Sequence, residues 1–115
     1  MANVARPVYL RLRDHIVAMI LDGRIMEGAA LPSVRAFAAE QGANPLTVAK
    51  AYQSFQEDGL VTVRRGVGMF VVAGAAARLR AEARAQFLEQ EWPRVAARMH
   101  QLGIEPADLL DRIGG

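Results

Sequence analysis

A chain of 115 residues, 52% hydrophobic and 23% charged, has the composition of a globular domain with a modest core and excludes a disordered segment. The lack of cysteine excludes a disulfide framework and a thiolate metal site, and the longest apolar run, Ile16 to Leu21, is far too short to span a bilayer. The formal net charge is +2, and from Ala75 onward six arginines (78, 80, 84, 94, 98, 112) face six acids (82, 89, 91, 105, 108, 111), so the positive excess lies in the N-terminal part. The N-terminal MANVARPVYLRLRD has no apolar stretch followed by a small-residue cleavage site, so a cytoplasmic protein without membrane contact is expected.

Arg6-Pro7 opens a first helix that runs to about Gly23, with Leu12, Ile16 and Ile20 as its buried stripe and Tyr9 as an aromatic at the core edge. Gly28 and Pro32 mark a loop. Ser33 caps a second helix, Val34 to Gln41, whose apolar side is Val34, Phe37 and Ala38. Arg35 sits off that stripe in the first turn, where a cation opposes the helix dipole and invites an anionic partner.

After Gly42-Ala43, Asn44 is an N-cap and Pro45 fits the first position of a third helix, 44–57. Val48, Ala51, Tyr52 and Phe55 recur at helical spacing and form its buried face. Thr47, Lys50 and Ser54 then point outward, flanked by Leu46 and Gln53: a hydroxyl, a cation, an amide and a methyl-rich group, the types that meet phosphates, base edges and thymine methyls. Taken alone, such a face is an ordinary solvated helix surface. Two short helices joined this tightly form a helix-turn-helix, which favours reading the third as a helix for the DNA major groove.

Leu60–Val63 and Met69–Val72 read as two strands around a turn, Arg64-Arg65-Gly66-Val67-Gly68. This is a β-hairpin with a cationic tip directly behind a helix-turn-helix, suited to clamping phosphates or entering the minor groove.

The segment Leu31 to Val71 closely resembles the DNA-binding domain of the GntR family of bacterial transcription regulators. The resemblance is carried by Leu31-Pro32-Ser33 with Arg35, Thr47-Val48, Ala51-Tyr52, Gly59-Leu60-Val61, Arg65-Gly66-Val67-Gly68 and Phe70-Val71. It implies a homodimeric, repressor-type regulator on a pseudo-palindromic double-stranded DNA operator. From the residues themselves, with no cysteine and no spaced ligand set, no enzyme, metal or cofactor is expected. DNA contacts would come from Ser33 and Arg35 at the second helix, from Asn44, Pro45, Leu46, Thr47 and Lys50 on the third, and from Arg64, Arg65, Gly66 and Gly68 in the wing, 64–68. Leu46 cannot hydrogen-bond, and Lys50 lacks the bidentate fork of arginine.

The fold expected is mainly α with a small β-hairpin: a winged helix-turn-helix over residues 1–74 and a short α-helical tail over 75–115. The tail is too short to enclose a metabolite pocket of its own. Its apolar positions, Leu79, Phe87, Leu88, Trp92, Val95, Met99, Leu102, Leu109, Leu110 and Ile113, have little of their own chain to pack against, with Pro93 kinking or restarting the helix and Leu109, Leu110 and Ile113 on a last short one. This layout resembles the YtrA subfamily, which implies a dimerisation tail; packing on the first helix is the plainer reading. Two further readings stand beside this one. A winged helix that docks on another protein would not need Arg35, Lys50, Arg64 and Arg65 on one face. An unknown small-molecule effector held between tail and DNA-binding domain would use Trp92 and Phe87, which otherwise form an aromatic pair in a dimer core. His15 and His100 lie far apart in sequence and suggest no active site.

Overall fold

The structure, a computed structural model, describes residues 6–114. The chain runs α1 (Val8–Leu21), α2 (Val34–Gln41), α3 (Pro45–Glu57), β1 (Val61–Arg64), β2 (Gly68–Val71), α4 (Ala75–Gln86), a π-helical turn (Phe87–Glu91), α5 (Trp92–Leu102) and α6 (Pro106–Leu110). It divides into two compact units, one ending at Leu79 and the other beginning at Arg80.

The core of the first unit follows from periodicity. Leu12, Ile16 and Ile20 from α1 meet Phe37 and Ala38 from α2 and Val48, Ala51, Tyr52 and Phe55 from α3. Leu60, Val61 and Val71 close it from the wing. Phe37 and Phe55 are completely buried, each contributing on the order of 1.5–3 kcal/mol of transfer free energy. The turn between α2 and α3 depends on Gly42, whose φ of 61° and ψ of 35° lie in the left-handed region that a side chain disfavours. Its neighbour Ala43 donates its N–H to the Ala38 carbonyl at 2.9 Å, satisfying an orphan acceptor at the end of α2.

The hairpin pairs antiparallel, with Val61 opposite Val71 and Arg64 opposite Gly68. β1 begins one residue later than the alternation predicts. Leu60 belongs to the turn out of α3, its N–H donating to the Phe55 carbonyl at 2.9 Å while its side chain fills the core. The segment read as a plain loop is also more than that. Gly28 donates to Val71 O (2.8 Å), Leu31 to Met69 O (2.8 Å) and Val71 to Ala29 O (2.9 Å), so residues 28–31 line the free edge of β2.

The domain boundary at residue 74 also needs correction. Ala75 and Leu79, the first turns of α4, are buried in the winged-helix core, and Arg78 donates to the carbonyls of Asp58 (2.8 Å) and Gly59 (3.4 Å) at the end of α3. Leu79 is therefore a core residue and not part of a tail surface.

In the second unit, the expected break at Pro93 takes the form of the π-helical turn Phe87–Glu91. Proline has no N–H and its ring crowds the carbonyl four residues back, which a wider turn relieves. Gly103 ends α5 in the left-handed conformation, and Glu105 and Asp108 cap α6 reciprocally. That helix runs only to Leu110, and Ile113 lies just beyond it, its N–H donating to the Leu109 carbonyl at 3.0 Å. No helix among the described residues is long and apolar enough to cross a membrane.

Candidate nucleic-acid interface

The wing, α2 and α3 are fixed to one another by a short strap. Leu31 is held to β2, Pro32 follows, and Ser33 is the N-cap of α2, its Oγ accepting from the Ala36 N–H at 3.1 Å. The buried Tyr52 of α3 donates its hydroxyl to the Pro32 carbonyl at 2.8 Å. Burial, and next the charge of Glu40, push the Tyr52 phenol well above its ordinary range, so it remains a donor. One strap thus ties three elements. As a result Pro32, Ser33, Val34, Tyr52, Val67 and Gly68 line a single hollow of about 320 Å³, which puts the start of α2 beside the wing.

Arg35 is exposed in the first turn of α2 and Arg65 at the turn of the wing, and neither forms an ion pair among the described residues. The wing turn is closed by the Val67 N–H donating to the Arg64 carbonyl at 2.9 Å. Gly66 takes a φ of 75°, which favours glycine at this tip. The Arg64 guanidinium lies 4.2 Å from the centroid of the Phe70 ring, so it is carried along the hairpin. Val67 is 70% exposed at the tip, an apolar group that sequence reasoning did not assign to the interface.

The reading helix begins as its residues dictate. The Asn44 side-chain oxygen accepts from the Leu46 N–H at 2.8 Å, and Pro45 occupies the first helical position. The exposed face is rotated from the one expected. Leu46, Ala49, Lys50 and Gln53 are exposed, whereas Thr47 and Ser54 are half-buried. Ser54 is engaged within the protein: its hydroxyl donates to the Ala51 carbonyl and accepts from Arg13 of α1 at 3.3 Å. Arg13 also pairs with Asp58 at 3.0 Å and lies 4.6 Å from the Phe55 ring centroid, covering that flank of α3. Lys50 rests its ammonium over the ring of Tyr9, 4.2 Å from the centroid. Tyr9 and Ala49 thus join the exposed face, while Arg13 closes its flank, and only tertiary packing reveals Tyr9 and Arg13.

In the second unit, Trp92, Val95 and Leu102 are about half exposed along α5, and Met99 between them is buried. Phe87 and Leu88 are similarly open on the π-helical turn, Leu110 and Ile113 more so, and Leu109 is partly covered. Trp92 also lines a hollow of about 410 Å³ with Ala96, Met99, His100 and Ile104. Among the described residues no group of histidines and acids is placed to hold a metal ion.

Comparison with known proteins agrees with this arrangement. The family described as bacterial regulatory proteins, gntR family, matches residues 8–71, which span α1 through β2. The chain belongs to the GntR family. Among its curated relatives is the HTH-type transcriptional repressor YtrA of Bacillus subtilis, 29% identical over 99 residues, 86% of this chain and 75% of YtrA. A crystal structure of a transcriptional regulator from Oenococcus oeni superposes with a TM-score of 0.68 at 28% identity, covering 94% of this chain and 88% of that one. The DNA-binding domain of AraR, solved in complex with operator ORR3, matches 57% of this chain and 80% of its own length at 26% identity and a TM-score of 0.55. The GntR chain described here is thus a transcriptional regulator with a DNA-binding winged helix, not an enzyme.

Proposed function

We propose that this GntR protein acts in the cytoplasm as a homodimeric repressor on a pseudo-palindromic operator, with α3 in the major groove and the wing tip, Arg65 and Gly66, in the adjacent minor groove. The observation that carries this reading is the Pro32 strap. It fixes the start of α2 beside the wing and holds α3 through Tyr52, while Arg35 and Arg65 keep their charges free for phosphates. The AraR DNA-binding domain, solved in complex with operator ORR3, supports the expectation that a winged helix of this kind binds operator DNA. The tail supplies the second copy: Trp92, Val95, Met99 and Leu102 recur at the three–four spacing of a helix-pairing seam, yet three of the four are substantially exposed.

Fluorescence anisotropy with a labelled duplex from the gene's upstream region, titrated at several salt concentrations beside a scrambled duplex, tests the reading. Tight binding to the upstream duplex alone, falling steeply with salt and lost in Arg35→Ala or Arg65→Ala, is the expected result. Equal weak binding to both duplexes would refute it and turn attention to a protein partner.

A further inference from the structure

Leu46 is 79% exposed, more than any other large apolar side chain among the described residues. It is also firmly placed. It is the second residue of α3, its backbone N–H is held by the Asn44 side chain at 2.8 Å, and Pro45 before it fixes the chain direction. A bare isobutyl group held out to water at the first turn of a reading helix adds little to folding, so it is available to be buried against DNA on binding.

The neighbours on that face narrow the target. Ala49, one turn along, is exposed and small, leaving room beside the Leu46 side chain, and Gln53 continues the line. The only cation on α3 is Lys50, and it leans onto Tyr9 of α1. Guanine offers two acceptors to the major groove, which arginine or lysine reads, whereas the distinctive apolar feature there is the thymine 5-methyl group. An isobutyl side chain facing a guanine or cytosine edge would leave polar base atoms without partners after water is displaced.

Resting on the operator reading above, we infer that Leu46 reads the 5-methyl group of a thymine in each operator half-site, making it the specificity-determining residue at that position. The contact is apolar, so the recognised feature is the methyl group itself and not the hydrogen-bonding edge of the pair.

Deoxyuridine isolates that feature, because it pairs as thymine does and lacks only the methyl. The purified full chain would be used to enrich binding sequences from a random duplex pool. Each thymine of the enriched half-site would then be replaced by dU, and affinities measured by anisotropy for the unaltered protein, Leu46→Ala and Leu46→Met. The expected result is one thymine per half-site at which dU weakens binding about fourfold, the effect of burying roughly one methyl group. Leu46→Ala would bind the dT and dU duplexes equally, and Leu46→Met, with similar reach and no polar group, would keep the preference for dT. The inference fails if no thymine of the enriched site responds to dU, or if the response is unchanged in Leu46→Ala. A pool that yields no enriched sequence would overturn the operator reading and this inference together. Leu46 lies outside the core, so both variants retain the fold.

Discussion

The ammonium of Lys50 stands 4.2 Å from the centroid of the Tyr9 ring, so the single cation of α3 rests on α1 at the flank of the exposed face. Such a contact at an exposed site is worth about 0.5–1 kcal/mol, small enough for the lysine to leave the ring for a phosphate. Lys50→Ala is therefore expected to weaken binding to all duplexes alike and to reduce the slope of log affinity against log salt by about 1. A loss confined to one sequence, with the salt slope unchanged, would instead make Lys50 a base reader.

Tyr52 makes stability depend on alkaline pH. Its phenol is buried and titrates above the ordinary value near 10, so folding favours the protonated form. The sign follows: stability is intact below the unfolded value and falls as pH rises above it, by about 1.4 kcal/mol per pH unit, until the folded group ionises as well. Tyr52→Phe removes this slope. At neutral pH it costs about 1 kcal/mol instead, because the Pro32 carbonyl loses its donor. Urea midpoints at pH 7, 9.5 and 10.5 should show the two proteins drawing together as pH rises, and parallel curves would contradict this account.

The caps were legible in the sequence because they are local. Ser33 and Asn44 each bond an N–H two or three residues away, and the composition of those few positions decides the geometry. The buried stripe of α3 was legible for the same reason. Which flank of the exposed face is covered was not, because it depends on Arg13, which is 41 residues from Ser54 in sequence and reaches it only after α1 and α3 pack. The pairing of residues 28–31 with β2 and the burial of Leu79 are likewise long-range. A drop in turn-forming residues after Gly74 marks where a helix starts, but not where the core ends.

Arg13 is expected to act on stability and not on DNA. Its side chain is mostly buried, lies over Phe55 and links Ser54 to Asp58, while Asp58 itself is half exposed and its pairing is weakened by solvent. Arg13→Ala should cost about 1 kcal/mol through lost packing and the lost hydrogen bond to Ser54. For a domain of this size that is a fall of about 4–8 °C in Tm. Its operator affinity at low temperature should keep the salt slope of the unaltered protein; a reduced slope would place Arg13 on the phosphates.

The tail tests whether two copies are needed. Val95 is 41% and Trp92 40% exposed on the same side of α5, so each is open enough to meet a partner and apolar enough to favour one. An aspartate at Val95 or an arginine at Trp92 would place an unpaired charge in the seam, a penalty of several kcal/mol if the seam is desolvated by a second copy and almost nothing if it faces water. Val95→Asp and Trp92→Arg should therefore sediment as monomers while keeping the helical circular dichroism of the unaltered protein. Operator affinity should fall by about 100-fold or more, because each winged helix then binds its half-site without the effective concentration supplied by its tethered neighbour. Full-affinity binding by a monomeric variant would show that one module suffices and would leave the exposed face of α5 to a different partner.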